Sequence, residues 1–347
     1  MTPDTVRPVP SASSILVVDD ENEIRELMAR WLSSSGYAVQ TAGNADEALQ
    51  QVRIDAPAVA LCDIRMPGHD GLWLANNIRH DAPETAVIMA SGVQDITAAA
   101  SGVCQGVIDC LTKPFVLERL RESVSRGVEW HKTARDTRQW REALEREVAA
   151  RRQLMLDTVD SLVIDSDADL DILLCVLTSA DREAYAHAYR VAAFAASVGR
   201  VMKLDDEEMR RLERAALVHD VGKFAMPDAV LRKPAPLTVE EQALIRQHPQ
   251  IASELIVTVP YLSAAAELVR DAYERVDGRG YPNGTPAADV ALGARIIAVA
   301  DAYDAMTRPR VFRNAVSPAE ALAELERCAG TQFDPAVVAA FKQIVQT

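Results

Sequence analysis

Short apolar runs alternate with amphipathic stretches through residues 14–130 of this chain. The apolar runs, such as SILVVDD, AVALCD and TAVIMA, are rich in residues that favour strands and end at turn signals. The stretches between them, such as ENEIRELMARWLSSSG, carry apolar residues at helical spacing. This alternation predicts an α/β architecture, a doubly wound five-stranded parallel sheet covered by helices on both faces.

The strand signals disappear after residue 165. Residues 166–347 carry apolar side chains at helical spacing, as in AYRVAAFAASVGRVMKL, and are broken by loops such as KPAP and VDGRGYPNG. This half is therefore predicted to be an all-α domain. The two domains, 13–130 and 166–347, follow a Pro- and Ser-containing start, residues 1–12, that reads as a disordered tail.

A charged segment, residues 131–165, joins the two predicted domains and contains no Gly or Pro. Apolar residues recur in it every seven positions, with two more near the same stripe: Val148, Met155 and Leu162, then Leu144 and Val159. This spacing predicts a helical linker and a candidate coiled coil, through which two copies of the chain would form a homodimer.

Composition limits the classes of partner and compartment. The net charge of −14 argues against direct DNA binding, although a local cationic cluster can still hold an anionic ligand. No apolar run reaches the roughly 18 residues of a membrane span, and the start has no apolar segment typical of a signal peptide. The scattered cysteines form no CxxC pair and indicate reduced thiols, so a cytoplasmic location is expected.

Polar residues stand at the ends of neighbouring predicted strands. They are Asp19, Asp20, Asp63, Ser91 and Lys113. Because the carboxyl ends of parallel strands meet at one crevice, the three carboxylates are expected to hold Mg²⁺ there. Asp63 could then attack a phosphoryl donor, with Ser91 and Lys113 contacting the phosphoryl oxygens. The alternative, solvated loop acids, explains one such residue but not the whole set.

The segment Asp63-Ile64-Arg65-Met66-Pro67-Gly68-His69-Asp70-Gly71 resembles the D-x-x-M-P-G-x-x-G motif of response-regulator receiver domains, which are CheY-like and flavodoxin-like in fold. The resemblance implies that Asp63 is the phosphoacceptor, Asp19 and Asp20 are Mg²⁺ ligands, Ser91 and Lys113 are the switch pair, and a sensor histidine kinase is the partner. One position departs from the family: Cys110 stands where Tyr or Phe is usual.

A second cluster of candidate ligands is spread over the helical half. His219-Asp220 lies in an apolar helical stretch, AALVHDVGK, where a buried imidazole and carboxylate need a partner. Glu183 and His187 are four residues apart and share a helix face, while His248 and Asp301 follow downstream. Mixed His and carboxylate ligands suit Fe, Mn, Zn or Co, which promote phosphoester hydrolysis.

Lys223, four residues after His219, is placed to hold the scissile phosphate. The alternative for this whole cluster is a set of isolated histidines at the edge of a core. Against it, His187, His219-Asp220 and Asp301 occur in the order of the H…HD…D phosphohydrolase superfamily. Together with LVHDVGKFAMPDAVLRKPAPLT and Asp277-Gly278-Arg279-Gly280-Tyr281-Pro282, they resemble the HD-GYP family over residues 166–347.

The HD-GYP resemblance implies a phosphodiesterase that hydrolyses cyclic di-GMP. It also implies that Gly280, Tyr281 and Pro282 form a loop near the active site, and that Arg310 and Arg313 contact the ligand.

This chain departs from the family where H-H-E-R-x-D-G-x-G-Y-P is usual: Ala272 and Tyr273 replace two histidines that are metal ligands in the family. Asp271 and Glu274 flank the gap and are weak candidates to compensate. The sequence therefore leaves four alternatives open. They are a hydrolase with one metal or an altered pair, a binder of cyclic di-GMP that does not cleave it, a protein-docking module, and a hydrolase of a different nucleotide.

Overall fold

The computed structural model describes residues 13–92, 106–178, 181–309 and 314–346, and the chain divides into two units, Met1–Trp140 and Arg141–Thr347. The predicted tail (residues 1–12) and the predicted ligand contacts Arg310 and Arg313 lie outside the described residues. Within the described ranges, no helix combines the length and the hydropathy that crossing a bilayer requires.

The N-terminal unit contains a five-stranded sheet, as predicted. All strands are parallel, in the order β2-β1-β3-β4-β5. The strands are β1 (Ser14–Val18), β2 (Ala38–Ala42), β3 (Val59–Asp63), β4 (Ala86–Ser91) and β5 (Asp109–Thr112). Three described helices connect them: α1 (Asn22–Ser34), α2 (Ala45–Ile54) and α3 (Gly71–Asp81).

The sheet is covered on both faces because alternate strand residues point to opposite sides. In β1, Leu16 and Val18 join a core that includes residues of α2 and α3. Ile15 and Val17 join a second core that includes Met28 of α1. Strands β3 and β4 are buried throughout, as expected for central strands of a parallel sheet.

One helix, α4 (Leu117–Asp160), runs through the predicted linker and begins well before it. Its first turns pack on the sheet through Leu120 and Val124. Its later turns belong to the core of the C-terminal unit. The buried residues there are those of the seven-residue stripe: Leu144, Val148, Met155 and Val159, with Leu162 partly buried against them. The prediction that this stripe pairs two chains is wrong, because its side chains are covered within the same chain.

The C-terminal unit is all-α, which confirms the second part of the predicted fold class. After α4 come α5 (Asp167–Leu177), α6 (Arg182–Val201), α7 (Asp206–Val218), α8 (Asp228–Leu231), α9 (Val239–Ile245), α10 (His248–Ile256), α11 (Ala266–Asp271), α12 (Leu292–Thr307), α13 (Pro318–Arg327) and α14 (Pro335–Val345). Several helices start at side-chain caps, and Asp205, Thr238 and Ser317 each form a complete capping box.

A short 3₁₀ segment, Val221–Ala225, follows α7 and packs against α10. Gly222 makes this approach possible. A Cβ atom at this position would lie 2.0 Å from the backbone oxygen of His248 and 2.9 Å from the nitrogen of Ala252. The absence of a side chain at Gly222 thus brings the His219-Asp220 region next to His248.

Candidate metal centres

The N-terminal unit brings the predicted strand-end residues together. One carboxylate oxygen each of Asp19, Asp20 and Asp63 lies within 4.8 Å of the others. The Lys113 ammonium donates to Asp19 Oδ2 at 2.7 Å and lies 2.8 Å from Asp63 Oδ1. Ser91 ends β4 and is buried, and its carbonyl accepts from the Lys113 backbone N–H. The arrangement is that of an oxygen-ligand cation site with a lysine beside it.

Electrostatics in this cluster favour a bound cation. Burial raises the pKa of Asp63, Lys113 lowers it in part, and the charges of Asp19 and Asp20 raise it further. Burial lowers the pKa of Lys113, but its contacts with Asp19 and Asp63 outweigh this and raise it. A divalent cation among the three carboxylates would relieve their mutual repulsion and keep Asp63 ionised as a nucleophile.

In the C-terminal unit, three buried histidines have the same internal arrangement. In each of them Nδ1 makes a hydrogen bond. Nδ1 of His219 donates to the carbonyl of Ala216 at 2.8 Å, and Nδ1 of His248 donates to that of Ile245 at 2.8 Å. His187 Nδ1 bonds a carboxylate oxygen of Asp304 at 2.7 Å. Because a carbonyl can only accept a hydrogen bond, Nδ1 of His219 and of His248 must carry the proton. In the neutral ring, Nε2 then has the lone pair that can bind a metal.

The Nε2 atoms of these three histidines are buried and have no hydrogen-bond partner, and the same is true of Asp301 Oδ1. His187, His219 and Asp220 each place one ligand atom within 4.8 Å of the others. Asp301 Oδ1 lies 3.2 Å from His187 Nε2 and 4.0 Å from His219 Nε2, outside hydrogen-bond geometry. Buried polar atoms without partners are costly, and this set has the chemistry of a transition-metal site.

The charge state of the cluster also suits a cation. Burial lowers the pKa of His219, which keeps the ring neutral. Burial raises the pKa of Asp220, but Lys223, His219 and His248 outweigh it and hold that pKa well below its usual range. The pKa of Asp301 is about 2, because His187 and other positive neighbours outweigh the effect of burial. Burial lowers the pKa of His187, but Asp301 and Asp304 outweigh it and raise that pKa to about 9, so this ring has to release a proton to bind a metal. Neutral imidazoles and ionised carboxylates are the forms that bind metals.

Asp304 is a functional residue that the sequence analysis missed. It is 2% exposed, and its carboxylate holds both His187 and the guanidinium of Arg190, whose Nε lies 2.6 Å from Asp304 Oδ1. A carboxylate behind a ligand histidine fixes the ring and strengthens its donor nitrogen. The available signal was its position on α12 three residues after Asp301, which puts both on one helix face.

Glu183 shares α6 with His187, as predicted, but its Oε1 accepts a hydrogen bond from Arg190 Nη2 at 2.5 Å. This ion pair engages one of its oxygens, and Glu183 is not part of the close group formed by His187, His219 and Asp220. Its role as a further ligand stays a prediction.

Tyr273 points into the cluster from the position where the family pattern has a histidine. Its hydroxyl donates to Asp220 Oδ1 at 2.7 Å, and its ring meets that of His248 edge-on, with centroids 4.7 Å apart. Lys223 donates to the other oxygen, Asp220 Oδ2, at 2.5 Å. Burial, with Asp220 and Asp301 nearby, raises the pKa of Tyr273 well above its usual value, so the hydroxyl keeps its proton and acts as a donor.

The flanking acids do not compensate for the missing histidines. Asp271 is buried and paired with Arg270 through both of its oxygens, at 2.7 and 2.8 Å. Glu274 is buried and accepts three backbone N–H bonds, from Asn283, Gly284 and Thr285. The expectation that either acid reaches the metal is wrong, because both carboxylates are used to hold the surrounding backbone.

The Gly280-Tyr281-Pro282 loop lies beside the histidine cluster, with the Tyr281 ring centroid 6.3 Å from that of His248. The ring of Tyr281 stacks on that of Tyr273, with centroids 5.2 Å apart, and the Arg246 guanidinium lies 5.5 Å from the Tyr281 centroid. The loop lines one side of a groove of about 820 Å³. Residues of α4, α9 and α10 line the rest, including Arg152 and Gln250.

Comparisons with known proteins match both units. The profile described as "Response regulator receiver domain" matches residues 15–125, and the profile described as "HD domain" matches residues 172–337.

Two curated relatives match nearly the whole chain, and a third matches about half of it. A cyclic di-GMP phosphodiesterase of Thermotoga maritima is 29% identical over 95% of this chain and 90% of its own length. The cyclic di-GMP phosphodiesterase response regulator RpfG of Xanthomonas campestris is 31% identical over 94% of this chain and 86% of its own. The cyclic di-GMP phosphodiesterase PA4108 of Pseudomonas aeruginosa is 36% identical, but over 55% of this chain and 46% of its own.

Proposed function

The chain belongs to the family of response regulators that join a receiver domain to an HD-GYP output domain, and on this premise we propose that it hydrolyses cyclic di-GMP under the control of phosphorylation at Asp63. The observation that carries the proposal is the set of buried, unpartnered donors in the output domain: Nε2 of His187, His219 and His248, and Oδ1 of Asp301. Imidazole and carboxylate donors of this kind suit Mn²⁺, Fe²⁺ or Zn²⁺.

His187, His219, Asp220 and Asp301 would hold the first cation. When bound, a divalent cation activates water and neutralises phosphoryl oxygens. Hydrolysis adds water across one P–O bond of the diester, leaving a phosphate monoester on one nucleotide and a free hydroxyl on the other. Asp304 keeps the His187 ring in place, and Lys223, in contact with Asp220, supplies a positive charge for the scissile phosphate.

The groove that Tyr281 shares with α4, α9 and α10 suits a dinucleotide, and it adjoins the cluster through Tyr281, since none of the described metal-site residues lines it. Tyr281 presents an aromatic face on which a base can stack, and Arg246 and Arg152 offer planar donors for phosphates or base edges. Gly280 keeps the loop close to its support, because a Cβ atom there would lie 2.5 Å from the Arg275 nitrogen. Gly280, Tyr281 and Pro282 would therefore contact the ligand. Arg310 and Arg313 would also contact it, and this expectation rests on the family pattern alone.

In the receiver domain, Asp63 would attack the phosphoryl donor, with Mg²⁺ held by Asp19, Asp20 and Asp63. Lys113 already contacts Asp63 and would pair with the new phosphoryl oxygens, and Ser91 would donate to them. A sensor histidine kinase as phosphodonor and a cytoplasmic location complete the proposal. A homodimer formed through the apolar stripe of α4 is not part of it, because that stripe is covered within the chain.

Helix α4 is the element through which phosphorylation would act on the output domain. Two adjacent arginines join it to the segments that carry the metal-site residues. Arg151 donates to the carbonyl of Met226, three residues after Lys223, at 2.9 Å. Arg152 pairs with Glu254 of α10, the helix that begins at His248, at 2.5 Å. A shift of α4 would thus be transmitted to both sides of the cluster.

The test is turnover by the full chain loaded with Mn²⁺ or Fe²⁺. We expect a linear dinucleotide product by chromatography, lost in His219→Ala and retained in His80→Ala, which changes a highly exposed histidine of the receiver domain. Acetyl phosphate should change the rate in the parent chain but not in Asp63→Asn. If the chain forms no linear product and binds less than one metal ion, the proposed hydrolysis of cyclic di-GMP is refuted.

A second candidate function is a binder of cyclic di-GMP that does not cleave it. The specific observation in its favour is the Tyr273 hydroxyl, which donates to Asp220 Oδ1 and so engages one of the two oxygens with which Asp220 could hold a second metal ion. Binding of cyclic di-GMP by calorimetry in a protein that yields no linear product would decide for this candidate.

A further inference from the structure

Asp220 already has a hydrogen-bond donor on each of its oxygens. The Tyr273 hydroxyl donates to Oδ1 at 2.7 Å, and the Lys223 ammonium donates to Oδ2 at 2.5 Å. The ammonium also lies 3.4 Å from the Tyr273 oxygen, so the three groups form a closed triangle. A carboxylate that bridges two metal ions would instead have one oxygen turned towards the second ion.

The remaining groups around this triangle cannot make up a second cation site. Apart from the ligands of the first cation, His248 Nε2 is the one buried and unpartnered histidine nitrogen among the described residues, and it lies 3.5 Å from Asp220 Oδ1. The carboxylates of Asp271 and Glu274 are engaged elsewhere, and Ala272 is packed in the helical core. His248 and Asp220 offer two protein donors, fewer than the three that catalytic sites usually supply.

We propose that Lys223 and Tyr273 take the place of a second cation at Asp220, so that the output domain binds one divalent cation per chain. The inference rests on the proposed function, since it assumes that the first cation is bound by His187, His219, Asp220 and Asp301. The ammonium supplies a fixed positive charge beside Asp220, as the second ion would. The Tyr273 hydroxyl satisfies the oxygen that the second ion would otherwise bind.

The experiment counts cations on the full chain without reference to activity. The protein is loaded with excess Mn²⁺, freed of unbound metal, and analysed by mass spectrometry of the metal, with Mg²⁺ kept in the buffer to occupy the receiver site. We expect about one Mn²⁺ per chain in the parent and about two in the double variant Ala272→His with Tyr273→His, which restores both histidines of the family pattern, one of them at the position whose ring meets that of His248.

Tyr273→Phe is the matched control. It removes the hydroxyl without adding a ligand, so its count should stay near one. A parent that binds two Mn²⁺ overturns the inference and leaves the proposed function standing. A folded double variant that still binds one Mn²⁺ overturns it as well, because the missing histidines would then not be what limits the site. A parent that binds none refutes the proposed function itself.

A second readout uses the parent chain alone, because histidine at the buried position 272 can prevent folding. Electron paramagnetic resonance of the Mn²⁺-loaded parent should give the signal of a magnetically isolated ion. A signal from two exchange-coupled ions in the parent would overturn the proposal whether or not the double variant folds.

Discussion

Replacing Asp304 with asparagine should weaken binding of the output-domain cation about tenfold. Asp304 touches no cation ligand atom, but it holds His187 by Nδ1 at 2.7 Å and is itself held by Arg190. Replacing such a supporting carboxylate commonly lowers metal affinity by roughly 10–100-fold. Asparagine keeps the size and one acceptor oxygen but loses the charge, which places the expected effect at the lower end, about 1.4 kcal/mol.

The assay is competition for Mn²⁺ between the full chain and a chromophoric chelator. Asp304→Ala removes both acceptor oxygens and should approach the upper end, about 100-fold or 2.8 kcal/mol. The matched control is Asp334→Asn, which alters a half-buried carboxylate paired with Arg295 in the same domain but leaves every histidine contact unchanged. If Asp304→Asn folds and its affinity for Mn²⁺ changes by less than about twofold, the supporting role of Asp304 is refuted.

Four further results are expected. Asp63→Asn should accept no phosphoryl group from acetyl phosphate, since an amide cannot form the acyl phosphate; a shifted band on a phosphate-affinity gel would contradict this. Gly222→Ala should destabilise the output domain by about 1–3 kcal/mol in urea unfolding, because its Cβ would lie 2.0 Å from the His248 oxygen; an unchanged midpoint would contradict the close packing. Met155→Ala should cost about 2–5 kcal/mol and leave the elution volume in gel filtration unchanged; a smaller species of unchanged stability would restore the coiled-coil interpretation. Glu274→Gln should speed hydrogen exchange at residues 283–285, whose amides bond the Glu274 carboxylate, and equal protection in both proteins would show that the carboxylate is dispensable.

The receiver domain could be predicted from sequence because its signals are local. Each strand is a short apolar run, and the residue after it falls at a known edge of a parallel sheet. Asp19, Asp63 and Lys113 are far apart in sequence, yet their contacts follow from this rule. The parallel sheet and the burial of both its faces followed from the same alternation.

The linker shows where periodicity stops being informative. A seven-residue stripe means that one face of a helix is covered, but it does not say by what. Val148 and Met155 are covered by helices of the same chain. The partner of an apolar face is decided by tertiary packing, which the spacing of apolar residues within one helix does not record.

The role of Asp304 behind His187 could not be predicted either, because it also depends on tertiary packing. Asp304 meets Arg190 because α6 and α12 pack together, and no motif links the two residues. The sequence did reveal that Tyr273 replaces a histidine. It could not reveal that the tyrosine hydroxyl reaches Asp220, or that Glu274 is committed to the backbone of the following loop.

If the output domain is a one-metal hydrolase, one cation should be enough for hydrolysis of cyclic di-GMP. The most direct measurement is the initial rate of linear product formation as Mn²⁺ is added stepwise to the metal-free full chain in Mg²⁺ buffer. A one-metal site should give a rate that rises to a plateau at one equivalent of Mn²⁺ per chain. A rate that stays at background until a second equivalent is added, or that never rises at all, would contradict it.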